Sequence, residues 1–197
     1  MSAYESQVTG LLGEKLCCDV GGRDALVIRG MGARYADLKR PYGQTQWVFE
    51  GQEIFRRAVA GMGSASADLL AQHGLSSRQV DLVVPHQANL RIIEAVARRA
   101  DIPMERVFVN VHRYGNMSAA TVPVALVEAI EEGRMKPGSL VLMPAFGAGL
   151  TWCAHLLRWG ERTSPVATAT AELPPSPCSA LDIVRDLIAR REHAASA

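Results

Sequence analysis

The sequence has almost no net charge, no long apolar run and no regular cysteine spacing, and each lack excludes a class of protein. Twenty-one Lys and Arg oppose 20 Asp and Glu, a formal charge of +1, so neither nucleic acid nor a membrane is expected as a partner, and charge-based recognition must be local. No stretch approaches the ~18 consecutive apolar residues of a membrane span, and the first ten residues lack the basic start and apolar run of a secretory signal. A cytoplasmic setting is the expectation. Cys17, Cys18, Cys153 and Cys178 form no CxxC pair or ladder, which argues against a zinc site and a disulfide framework. His73, His112, His155 and His193 share no metal-ligand spacing, so no metal site is expected.

What is present is the composition of a soluble globular chain, 197 residues with 48% hydrophobic and 21% charged. Four zones follow one another. Residues 1–51 are rich in glycine and polar residues, with strand-like pieces at Lys15–Val20 and Ala25–Ile28, and read as leading strands. Residues 52–159 alternate helix and strand signals. Residues 160–178 have the Pro, Thr and Ala content of a linker, and residues 179–197 carry an amphipathic helix with Leu181, Val184, Leu187 and Ile188 on one stripe. Being short, that helix is expected to pack on this domain or on a partner chain.

Within 52–159 the apolar spacing of Ile54, Phe55, Ala58, Val59, Met62, Leu69 and Leu70 predicts a helix, loosened at Gly61 and Gly63 and stopped at Gly74. Asp81–Pro85 suits a buried strand, and Asn89 is the expected N-cap of a helix over 90–100. Val107–Asn110 reads as the next strand, Ser118–Glu132 as a helix, and 140–143 and 151–157 as strands around a glycine-rich loop. Such alternation indicates an α/β layered fold with a mixed, mostly parallel sheet and flanking helices.

Polar loops follow three of these strands, where open α/β sheets place their sites. They read Val84-Pro-His-Gln-Ala-Asn-Leu-Arg91, Asn110-Val-His-Arg-Tyr-Gly-Asn-Met-Ser-Ala-Ala120 and Pro144-Ala-Phe-Gly-Ala-Gly-Leu-Thr-Trp152. In order and wording they resemble the C-terminal half of a β-ketoacyl-acyl-carrier-protein synthase III, a condensing enzyme of the thiolase superfamily, from about Phe49 to Trp159. The resemblance implies the C-terminal half of a thiolase-like fold and decarboxylative condensation of an acyl thioester with a malonyl-carrier protein. No cofactor is implied beyond thioester substrates on coenzyme A or acyl carrier protein. His86 matches the family's catalytic histidine and Asn116 its catalytic asparagine. An imidazole N–H and a carboxamide N–H aimed at one oxygen would stabilise an enolate without a metal. The tautomer of His86 must be fixed by a neighbouring acceptor that the sequence does not identify.

By the same resemblance, Gln87, Ala88, Asn89, Leu90 and Arg91 open a helix that presents basic residues to the acidic carrier protein. Arg91 and Arg98 lie seven residues apart, nearly on one face, with Arg99 adjacent. Phe146, Gly147 and Gly149 resemble the family's closing loop. Three departures stand out: Met117 where threonine is usual, Ala148 for a glycine, and Leu150 for an aromatic. The tail beyond Trp159 is a fourth.

The family's nucleophilic cysteine belongs to its N-terminal half, and none of the four cysteines fits that role. Cys17, Cys18 and Cys153 are expected in the core, and Cys178 in the tail has nothing to orient it. Two functions stay open. The chain either supplies His86 and Asn116 to a cysteine on a partner carrying the N-terminal half, or is a non-catalytic thiolase-like module that binds a carrier protein or partner subunit. A lone half should expose apolar surface, so self-association or a partner subunit is expected.

Overall fold

The computed structural model describes residues 9–30, 46–164, 166–167 and 174–195. The signal-peptide reading of the first ten residues therefore lies almost wholly outside the described residues, as do parts of the segments 1–51 and 160–178. Contacts divide the chain into two units, Met1–Ser164 and Pro165–Ala197.

The first unit is built on a four-stranded sheet. Its strands are β1 (Gly10–Cys18), β4 (Leu82–Val83), β5 (Leu140–Gly147) and β6 (Thr151–Arg158), in the order β1-β6-β5-β4. A two-stranded hairpin, β2 (Leu26–Arg29) with β3 (Gln46–Phe49), stands apart from it. The β1/β6 and β6/β5 pairs are antiparallel and β5/β4 is parallel. The sheet is thus mixed, but among the described residues the expected parallel majority is not found: the antiparallel pairs run the length of the strands, and the parallel ladder pairs only Leu82 with Val141 and Val83 with Leu142. The expected strand at Val107–Asn110 reduces to one parallel bridge, Val83 with Val107, because only the Phe108 N–H reaches the Val83 carbonyl.

Helix α1 (Gly51–Gln72) covers one sheet face with Ala65, Leu69 and Leu70 against Leu142, Ala154 and Leu156. It is not loosened at its glycines. Gly61 and Gly63 are buried where Trp152 and Arg99 press on the helix, so the absence of a side chain serves close approach. Helix α2 (Leu90–Arg99) begins at Asn89, whose Oδ1 accepts the Ile92 N–H at 2.9 Å, and buries Ile92, Ile93, Val96 and Ala97. A short helix α3 (Val111–Tyr114) and a 3-10 turn (Ser118–Ala120) lead into α4 (Thr121–Glu131), which starts three residues later than the pattern predicts. Its Ala125 and Ala129 join Leu82, Val84, Phe108 and Val141 in a second apolar cluster on the other face of the sheet. Gly74 and Gly133, at φ +64° and +68°, end α1 and α4 as left-handed stops.

The second unit contains α5 (Ala180–Ala195). Ser179 and Asp182 cap it reciprocally, the Asp182 N–H donating to Ser179 Oγ and the Ser179 N–H to Asp182 Oδ2. Leu181, Val184, Leu187 and Ile188 are each about half exposed.

Candidate active site

The parallel ladder carries the first site residue. Val84 N–H donates to the Leu142 carbonyl and His86 N–H to the Pro144 carbonyl, so the chain stays registered on β5 until His86 emerges at the strand end. There the His86 ring is partly buried, and burial pulls its pKa below the ordinary histidine value, which favours the neutral ring. Its Nδ1 lies 2.5 Å from Thr121 Oγ1, at the start of α4. Thr121 also sits 3.0 Å from the Ser118 carbonyl.

Asn116 occupies the turn between α3 and α4. Gly115, at φ +67°, reverses the chain after α3, a conformation that costs glycine little. Asn116 Oδ1 then accepts the Ser118 N–H at 2.8 Å, closing an Asx turn that leaves the Nδ2 donors as the uncommitted end. The turn is anchored from behind by buried polar groups. Asn110 Nδ2 donates to Glu128 on α4 at 2.9 Å, and the Tyr114 hydroxyl donates to the same carboxylate. Those two bonds, Tyr114 first, hold the Glu128 carboxyl below the usual carboxylate range, and the bond to Glu128 pushes the Tyr114 phenol up.

His86 and Asn116 line one cavity of about 730 Å³. Its floor is apolar, with Ile54, Ala58 and Met62 of α1, and one wall is the β2–β3 hairpin. Cross-strand pairing puts Leu26, Ile28, Trp47 and Phe49 on one face of that hairpin, and Trp47 and Phe49 remain 65% exposed. Phe146, Gly147 and Ala148 close another side, whereas Gly149 lies outside the lining, at φ +134° in the turn beyond. A cavity of this size with an apolar wall and a few convergent polar groups has the character of a small-molecule site.

The residues expected at a carrier surface separate. Gln87 does not belong to one. It is fully buried, its Nε2 donating to the Pro85 and Phe108 carbonyls and its Oε1 accepting the Asn110 and Val111 N–H groups. Ala88 lines the cavity beside His86, and the Asn89 side chain is used as the α2 cap. Leu90, Arg91, Arg98 and Arg99 are exposed, Arg91 with its guanidinium 5.9 Å from the Phe55 ring centre.

None of the cysteines lines this cavity. The expectation that three of them sit in the core is corrected: Cys18 is exposed, and Cys17 and Cys153 are half-buried. Cys17 and Cys18 lie at the end of strand β1 and point to opposite faces of the sheet. Desolvation raises the Cys153 pKa, the opposite of what a nucleophile needs. Among the described residues no group of three His, Cys, Asp or Glu could hold a metal, and no helix is long and apolar enough to cross a membrane.

Sequence reading missed Thr121, Ser118 and the aromatic wall. A hydroxyl directly after the Asn-Met-Ser-Ala-Ala run and the alternation of Trp47 with Phe49 were the signals available.

Residues 70–159 match the family described as 3-oxoacyl-[acyl-carrier-protein (ACP)] synthase III C terminal. Over those residues the chain is similar to the C-terminal region of thiolase-like β-ketoacyl-acyl-carrier-protein synthases III. It is 47% identical over 182 residues to β-ketoacyl-[acyl-carrier-protein] synthase III 2 of Vibrio cholerae, covering 92% of this chain and 50% of the relative. The synthase III of Roseiflexus sp. (strain RS-1) is 48% identical over 152 residues, 76% of this chain and 46% of the relative. Crystal structures of synthase III from Thermus thermophilus and Aquifex aeolicus VF5 superpose with TM-scores of 0.69 and 0.68, each at 40% identity, over 79% and 77% of this chain and 48% and 45% of theirs. The chain spans about half the length of the curated relatives it matches. The tail is not wholly a departure, because an alignment of 182 residues in a chain of 197 must reach at least Asp182, well past Trp159.

Proposed function

We propose that this chain supplies the decarboxylating and oxyanion-stabilising part of a condensing site in fatty-acid or related acyl biosynthesis, acting on thioesters of acyl carrier protein or coenzyme A in the cytoplasm. The observation that carries this reading is His86 and the free amide end of Asn116 on one apolar cavity. When a malonyl thioester loses CO₂, the electrons of the breaking C–C bond move onto the thioester oxygen. An imidazole N–H and a carboxamide N–H aimed at that oxygen stabilise the enolate. The enolate carbon then attacks an acyl group held on a cysteine, which on this reading comes from a partner segment equivalent to the other half of the synthase relatives. The relatives are named for acyl carrier protein, and the exposed Arg91, Arg98 and Arg99 of α2 would attract an acidic carrier.

Malonyl-coenzyme A incubated with the purified chain tests the proposal. Release of CO₂ with formation of acetyl-coenzyme A is expected, falling by about 10²–10³-fold in His86→Ala and in Asn116→Ala, the usual cost of an oxyanion donor. Turnover unchanged by both substitutions overturns it. A second reading, a non-catalytic module that binds a carrier protein, draws on the absence of any cysteine from the cavity lining. Carrier binding lost on Arg91→Glu, with no decarboxylation by the wild-type chain, would select it.

A further inference from the structure

We propose that Thr121 is the positioning residue that makes His86 a hydrogen-bond donor at Nε2. The inference rests on the reading of His86 given above and adds the group that sets its tautomer. A neutral imidazole carries one ring proton, so Nε2 donates only if Nδ1 accepts. At Nδ1 the structure places the Thr121 hydroxyl, which can act in either sense, with one hydrogen and two acceptors in reach: His86 Nδ1 at 2.5 Å and the Ser118 carbonyl at 3.0 Å.

Two features decide between them. The His86 contact is the shorter of the two, 2.5 Å against 3.0 Å. The Ser118 carbonyl also already accepts the backbone N–H of Thr121, so it keeps a partner when the hydroxyl turns to the ring. Thr121 is fully buried and its backbone is fixed by the start of α4, which leaves rotation of one hydrogen as its main freedom. Ser118 links the two site residues. Its N–H holds Asn116 Oδ1, and its carbonyl holds the Thr121 backbone that directs His86. Its own φ of +55° departs from the range that non-glycine residues favour.

The sign of one titration separates this arrangement from its reverse. A donor on the Nδ1 lone pair stabilises the neutral ring, so removing it raises the pKa, whereas an acceptor for Nδ1–H stabilises the charged ring, so removing it lowers the pKa. Among the described residues, His86 is the only charged or titratable side chain lining the cavity, whether from the hairpin strands, α1, α2, the 3-10 turn, α4 or β5.

The experiment is an NMR pH titration of the ¹⁵N-histidine-labelled chain, following the two ring nitrogens of His86 in wild type, Thr121→Val and Thr121→Ser. The Nε2–H pattern is expected in the neutral wild-type ring. The His86 pKa should rise by about one pH unit in Thr121→Val, a tenfold change in its protonation equilibrium, and return to the wild-type value in Thr121→Ser. An Nδ1–H pattern in the wild type, or a pKa that falls or stays in Thr121→Val, overturns the proposal. The result is independent of turnover. Absent decarboxylation with the expected titration defeats the functional reading alone, and turnover with the opposite titration defeats only the role of Thr121.

Discussion

At the scale of single residues, His86 and Gln87 are neighbours in one motif and do unlike things. His86 closes the ladder on β5 and faces the cavity. Gln87 turns inward, where its four hydrogen bonds tie the end of the β4 segment to the start of α3. The sequence shows that both belong to a conspicuous polar loop, and it cannot show which faces out, because that depends on carbonyls and N–H groups supplied 21 to 24 residues later. Thr121 escapes notice for the same reason, its ring partner lying 35 residues away. Burial makes the role of Gln87 testable. Gln87→Ala should lower unfolding free energy by about 2–4 kcal/mol in a urea titration, since it strands buried donors and acceptors. A residue at an exposed carrier surface would change it by no more than about 0.5 kcal/mol.

At the scale of elements, what was legible followed from local rules: the apolar stripe of α1, the Asn89 cap and the left-handed glycine stops. Less legible were the features set by partners, such as the reduction of 107–110 to one bridge and the antiparallel weight of the sheet. The glycines of α1 show the distinction. A helix-interior glycine normally costs about 1 kcal/mol against alanine, so local reasoning predicts a weak point at both Gly61 and Gly63. A Cβ on Gly61 would stand 2.7 Å from the Trp152 ring, which is itself stacked on Phe146, whereas a Cβ on Gly63 would meet the Arg99 side chain, at its Cδ, Cγ and Nε. The rigid neighbour cannot give and the flexible one can. Gly61→Ala should therefore destabilise by about 1–3 kcal/mol despite its better propensity, while Gly63→Ala should cost less, because Arg99 can move aside and alanine regains up to about 1 kcal/mol of helix propensity. Thermal melts of the two variants check the contrast, and equal losses in both would contradict it.

At the scale of the whole molecule, the sheet face turned away from α1 is only partly covered. Residues opposite one another across antiparallel pairs share a face, so Leu11, Leu157 and Val141 form one row, and Leu16, Cys153 and Ala145 another. Helix α4 covers the β5 end of these rows, where Val141 is buried and Leu157 packs in the same cluster. At the β1 end the rows run out into solvent: Leu11 is 54% and Leu16 65% exposed, and Val127 on α4 is 53% exposed. Among the described residues β1 is also a sheet edge, with unpaired backbone groups on its outer side. An apolar strip beside an open edge promotes association, and relatives about twice as long carry a further half of chain. The chain alone should therefore sediment at ~10 μM as a species heavier than its 21.3 kDa monomer. Leu11→Lys with Leu16→Lys should return it to monomer mass, because two cations there would have to be desolvated in any packed interface. A wild-type chain that stays monodisperse at 21.3 kDa would show that this face is stable uncovered, and would remove the physical argument for a complementary half docking on it.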